Sequence, residues 1–179
     1  MNIPNFLTLL RIVLVPVVVI FLMQGAFLKA LIVLIISGIT DALDGFLARI
    51  LRQQTVLGAY LDPIADKALL ISCFVTLSVK GIIPGWLTVI VISRDVIILI
   101  GIAILTLMSV PFEVRPALVS KITTALQLFT VLFSIMFRIF PGAIDCIVII
   151  VLNWTTAVFT IVSGLNYMFR WVTLDESRE

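Results

Sequence analysis

Long unbroken apolar runs leave this chain few ways to fold. VLVPVVVIFLM (13–23) and DVIILIGIAILTLM (95–108) contain no alternation of apolar and polar residues, so they do not read as strands of a transmembrane β-barrel. In lipid, a run of this kind satisfies its own backbone hydrogen bonds only as a helix. Hydrophobic residues make up 62% of the chain and charged residues 12%, against about 45–50% and about 25% in soluble domains. An all-α integral membrane protein is therefore expected. Its 179 residues fit one helical bundle, a single membrane domain over 1–179.

Crossing ~30 Å of hydrocarbon takes roughly 20 apolar residues. Six spans are predicted on that basis: Phe6–Met23, Leu28–Ile50, Leu61–Val79, Trp86–Met108, Leu118–Phe137 and Ile147–Phe169. The breaks between them, Gln24–Gly25, LRQQTVLG, KGIIPG, SVPFEVRP and RIFPGAID, each carry Gly, Pro or charge. NIPN at the start reads as a short interfacial turn ahead of the first span. The first charged side chain is Arg11 and no A-x-A site follows the apolar run, so the first helix is expected to be retained rather than cleaved as a signal. With the N-terminus in the cytoplasm, seven basic residues (Arg49, Arg52, Lys67, Arg115, Lys121, Arg170, Arg178) fall on that side and three (Lys29, Lys80, Arg138) on the other. Arg11 and Arg94 lie inside spans. Both termini are thus expected to be cytoplasmic.

Several chemistries drop out at once. The chain has no histidine, which removes serine-histidine and cysteine-histidine catalysis, zincin motifs and phosphohistidine intermediates. A net charge of +2 gives no reason to expect nucleic acid. Cys73 and Cys146 are far apart, with no C-x-x-C pattern, and read as small apolar fillers.

Four aspartates stand out against this background. Asp41 and Asp44 close the second span, and Asp62 and Asp66 open the third. A carboxylate in an apolar span costs about 2.5–3.5 kcal/mol when central. On a helix, residues three, four and seven apart share a face, so Asp41, Asp44, Gly45 and Ala48 form one stripe and Asp62 stacks on Asp66. Two helices presenting two carboxylates each make a hard-oxygen cage suited to Mg²⁺, Mn²⁺ or Ca²⁺. Two ions balance four negative charges, and paired metals suit phosphoryl displacement. Gly45 and Ala48 leave a shallow surface for a ligand, and Arg49 offers a planar fork for phosphate oxygens. Together these residues describe a diphosphate site at the cytoplasmic ends of the second and third helices.

DALDGFLAR, eight further residues and GAYLDPIAD reproduce the pattern D-x-x-D-G-x-x-A-R-x8-G-x3-D-x3-D without a departure. This resembles the signature of the CDP-alcohol phosphotransferases, membrane enzymes of phospholipid synthesis; NIPNFLTLLRIVLVP resembles that family's usual opening, and six spans are its usual fold. The resemblance implies attack of an alcohol on the β-phosphorus of a CDP-linked lipid, with release of CMP. It implies two Mg²⁺ or Mn²⁺ ions on Asp41, Asp44, Asp62 and Asp66, with Asp66 also taking the proton from the acceptor hydroxyl. Gly45, Ala48, Arg49 and Gly58 would line the CDP pocket. CDP-diacylglycerol, a glycerol-type acceptor, surrounding membrane lipid, a homodimer and a bacterial inner (plasma) membrane complete what it implies.

Two branches of the family fit. Phosphatidylglycerophosphate synthases, whose acceptor is glycerol 3-phosphate, usually carry A-R-E and G-K-x-K-T; cardiolipin synthases of the CDP-alcohol type, whose acceptor is phosphatidylglycerol, carry S-R-D and S-K-x-x-T. This chain has SRD at 93–95 and SKITT at 120–124, nearer the second. Thr123 stands where the first branch has its second lysine, so a lysine there is expected to turn preference toward glycerol 3-phosphate. Arg94, Arg115 and Lys121 are the candidate acceptor-binding residues. An Arg94–Asp95 pair satisfied within the protein is the competing reading. An ion- or proton-coupled transporter is the alternative of a different class; the fixed spacing, the one-sided cluster and the lack of an internal repeat argue against it.

Overall fold

The structure is a computed structural model. It describes the backbone over 3–51, 56–107, 118–142 and 145–176, and side chains over 11–40, 65–101, 119–142 and 145–167. Among the described residues the fold is all helical: α1 (Ile3–Met23), α2 (Phe27–Leu51), α3 (Val56–Val79), α4 (Gly85–Leu107), α5 (Leu118–Ile139) and α6 (Cys146–Glu176). Helices of 21 to 25 residues, as α1 to α5 are, reach about 31–38 Å at ~1.5 Å per residue. Val119–Ile139 and Cys146–Tyr167 are long and apolar enough to cross a membrane, and Arg11–Met23 and Phe27–Thr40 are shorter apolar stretches. Three boundaries differ from expectation by more than two residues. Helix α1 starts at Ile3, so Ile3, Pro4 and Asn5 belong to its first turn rather than to a separate one; a proline there forfeits no hydrogen bond, since the first N–H groups of a helix have no internal partner. Helix α3 starts five residues early and carries Gly58. Helix α4 stops at Leu107, within a residue of its expected end, whereas α6 runs 31 residues to Glu176 instead of stopping at Phe169.

Two of the expected breaks show their cause. Gly25 has φ 74° and Gly81 φ 66°, in the left-handed region that glycine enters without a Cβ penalty. At the first, Ala26 N–H donates to the Phe21 carbonyl and Gly25 N–H to that of Leu22; at the second, Ile82 N–H donates to Leu77 and Gly81 N–H to Ser78. Both are Schellman closures of α1 and α3. Pro84 then immediately precedes α4, its carbonyl accepting from Leu87 and Thr88.

Internal contacts divide the chain into two compact units, Met1–Ile82 with Val131–Ile144, and Ile83–Thr130 with Asp145–Glu179. In the first, α1 packs against both α2 and α3, burying Val18, Leu22, Leu34, Cys73, Phe74 and Leu77. In the second, α4 packs against α6. Its buried side chains include Thr123, Gln127 and Thr130 of α5 and Thr156, Thr160 and Ser163 of α6, while Ile122, Phe129, Val158 and Ile161 are exposed. Polar side chains inside and large apolar ones outside is the arrangement lipid favours, where helices gain little from burying leucine and associate through small polar contacts. Thr130 and Thr156 hydroxyls lie 2.7 Å apart, and Thr123 Oγ1 donates to the Phe159 carbonyl at 3.1 Å. Cys73 fills the core as expected; Cys146, at the start of α6, is exposed and fills nothing.

Candidate active site

Because a three-residue turn (24–26) joins α1 to α2 and the two pack together, they run antiparallel. The N-terminal half of α1 therefore lies beside the last turns of α2. Those turns carry Asp41, Asp44, Gly45, Ala48 and Arg49, and the first three turns of α3 carry Gly58, Asp62 and Asp66. The signature is thus split between two helices that share α1 as a neighbour. The side chains of Asp41, Asp44, Gly45, Ala48, Arg49, Gly58 and Asp62 lie outside the described residues, as does Arg115. Among the described residues no three metal-ligating side chains cluster.

Asp66 is described, and its neighbour is the one sequence reasoning missed. Arg11 Nη1 donates to Asp66 Oδ1 at 2.5 Å, bridging α1 and α3. The guanidinium side is buried, with a relative exposure of 3%, while the Asp66 side chain is 44% exposed. A side chain anchored at one oxygen and still partly exposed can meet a ligand. Arg11 was visible in the sequence as the only charge among the first 28 residues, and a charge in an apolar span calls for a partner.

The acceptor candidates fare differently. Arg94 is buried and both of its Nη groups are engaged inside its own unit, while its Nε is buried without a partner among the described residues: Nη1 donates to Asp95 Oδ1 at 2.8 Å, and Nη2 to Ser120 Oγ at 2.6 Å and Ser163 Oγ at 2.7 Å. Its guanidinium carbon also lies 5.9 Å from the centre of the Tyr167 ring. It ties α4, α5 and α6 together, in line with the satisfied-pair reading. Lys121 is exposed in the first turn of α5. Thr123 is fully buried, donating to Val119 and Phe159 carbonyls, so a lysine there would thrust an ammonium into the α5–α6 contact. The expectation for that position changes accordingly. Thr123→Lys should destabilise the protein by about 2.5–3.5 kcal/mol, read as a lowered unfolding midpoint in detergent. A stable Thr123→Lys variant with altered acceptor preference would refute this.

Comparison with known proteins then decides the family. The family model described as CDP-alcohol phosphatidyltransferase matches residues 1–162. The chain belongs to that family. Its match runs through both compact units, and the family is membrane-associated, in keeping with the apolar helices. Among relatives, a Rattus norvegicus protein named cardiolipin synthase (CMP-forming) is 34% identical over 93% of this chain and 60% of its own length. A Mycobacterium tuberculosis protein named probable phosphatidylglycerophosphate synthase is 33% identical over 94% of this chain and 81% of its own. A Bacillus subtilis protein named CDP-diacylglycerol–glycerol-3-phosphate 3-phosphatidyltransferase is 31% identical over 98% of each. This chain thus spans about three fifths of the rat relative's length.

Proposed function

We propose that this chain transfers a phosphatidyl group from CDP-diacylglycerol to the hydroxyl of a glycerol-type acceptor, with phosphatidylglycerol as acceptor and cardiolipin as product. The observation that carries the reading is the placement of the eight-position signature on the last turns of α2 and the first turns of α3, both helices packed on α1, in a member of this family. The acceptor oxygen forms a bond to the β-phosphorus, the bond from that phosphorus to the bridging oxygen breaks, and CMP leaves with both bonding electrons. Asp66, open to its surroundings, receives the hydroxyl proton. Gly45, Ala48 and Gly58 leave room for the CDP moiety and Arg49 meets its phosphates.

The donor set fits a hard divalent cation, since Asp41, Asp44, Asp62 and Asp66 supply only carboxylate oxygen. These four would hold two Mg²⁺ or Mn²⁺ ions, which when bound neutralise the diphosphate and the developing charge on CMP. With Arg94 engaged internally, Lys121, which is exposed, and Arg115 are the residues we assign to the acceptor. We further place six spans across a bacterial inner (plasma) membrane, both termini and the aspartates on the cytoplasmic side, in a homodimer.

Glycerol 3-phosphate is the second reading of the acceptor, favoured by the near full-length match to the Bacillus subtilis relative. SRD and SKITT support phosphatidylglycerol. Purified protein given CDP-diacylglycerol and either acceptor alone should release CMP with phosphatidylglycerol and make cardiolipin. Release only with glycerol 3-phosphate would install the second reading, and no CMP release with either would point to the transporter class.

A further inference from the structure

The molecule holds two described arginine–aspartate pairs, and they are built differently. Arg94 and Asp95 are chain neighbours and both are buried, with side-chain exposures of 5% and 2%. Arg11 and Asp66 are 55 residues apart and unequally buried, at 3% and 44%. A pair that only ties helices together has no need of a carboxylate side chain left partly exposed. The buried partner is also the expensive one, since a guanidinium in an apolar span costs far more to place than a neutral side chain.

We infer that Arg11 is the positioning residue for Asp66: its Nη1 holds one carboxylate oxygen so that the group meets the acceptor hydroxyl in a single orientation. The inference rests on the reading of Asp66 as the proton acceptor. Aspartate this exposed otherwise samples several staggered rotamers, and a misplacement of about 1 Å at a reacting group can cost roughly a hundred-fold in rate. A charge-assisted bond from a buried cation restricts that sampling. Arginine suits the task because it stays charged in apolar surroundings. Helix α1, which packs on α3, sets the direction from which the restraint acts.

The test compares Arg11→Met, Arg11→Lys, Asp66→Asn and the Arg11→Met/Asp66→Asn pair, purified in detergent. It reads kcat, KM for CDP-diacylglycerol, and Mn²⁺ binding by electron paramagnetic resonance. Arg11→Met should lower kcat by about ten- to a hundred-fold while that KM and the Mn²⁺ affinity stay within about threefold. Arg11→Lys, which keeps a cation on the carboxylate, should recover most of the loss. In the Asp66→Asn background, Arg11→Met should change kcat by less than about twofold, because the group it positions is already disabled. If Arg11→Met does not fold, Arg11→Gln replaces it with the same expected split. Unchanged kcat in Arg11→Met, or loss of Mn²⁺ binding in step with kcat, overturns the inference. Should Asp66→Asn turn over like wild type, it is the reading of Asp66 as proton acceptor that fails.

Discussion

Asp41→Asn and Asp62→Asn are each expected to lower turnover by about a thousand-fold or more, and chelation by EDTA to abolish it until Mg²⁺ or Mn²⁺ is restored. Both substitutions keep size and polarity and remove one negative charge from a set of four. The chemistry generates charge on a diphosphate and its leaving group. Loss of one preorganised electrostatic contact to such charge costs about 2.7–4 kcal/mol, and each 1.36 kcal/mol is about tenfold in rate. A thousand-fold is therefore the scale set by one contact, and an asparagine that also loosens an ion adds to it. Folding must be shown intact, by unchanged helical circular dichroism and unchanged elution in detergent. Mn²⁺ binding gives an independent reading, which should weaken in both variants. Turnover that persists in chelator would remove the metal proposal while leaving family membership untouched.

The helices and their ends were largely readable from sequence because glycine, proline and charge interrupt long apolar runs, and Gly25 and Gly81 close helices where those interruptions fall. The end of α6 was not. Hydropathy marks where a helix leaves lipid, whereas the backbone hydrogen bonds of a helix can continue beyond that point, as they do through WVTLDE, in which only Leu174 and Glu176 are strong helix formers. The signature's place on α2 and α3 followed from spacing alone. Its partner on α1 did not, because the 55-residue separation of Arg11 and Asp66 is bridged only by packing of α1 on α3. The polar face between α5 and α6 was readable in principle: Thr123, Gln127 and Thr130 on one helix and Thr156, Thr160 and Ser163 on the other recur at alternating steps of three and four. That spacing marks a helix contact, and it explains why Thr123 faces a neighbour instead of an acceptor. Arg94 illustrates the remaining gap, since a charged pair within a span can line a cavity or lock a bundle, and its sequence neighbourhood is the same in both cases.

Arg94 also yields the largest expected effect on stability. Arg94→Ala removes the guanidinium that joins Asp95 on α4, Ser120 on α5 and Ser163 on α6. Breaking one side of a buried ion pair typically costs about 3–5 kcal/mol, because the other charge loses its compensation. At about 2–4 °C per kcal/mol for a chain of this size, the midpoint of unfolding in detergent should fall by roughly 6–20 °C. Replacing both partners with apolar groups of similar volume is often neutral, so Arg94→Met combined with Asp95→Leu should regain much of that loss. Ser120 and Ser163 can then turn their hydroxyls to carbonyls of their own helices, as Thr124 and Thr160 already do. The double variant separates the two roles considered for Arg94. If its work is to join three helices, the double variant should be stable and retain an acceptor KM within about threefold of wild type, since no contact to the acceptor has been removed. A stable double variant whose acceptor KM rises about ten- to a hundred-fold, the cost of one charge-assisted contact, would return Arg94 to the acceptor site. Its hydrogen bonds to Asp95, Ser120 and Ser163 would then have to open for the acceptor to bind.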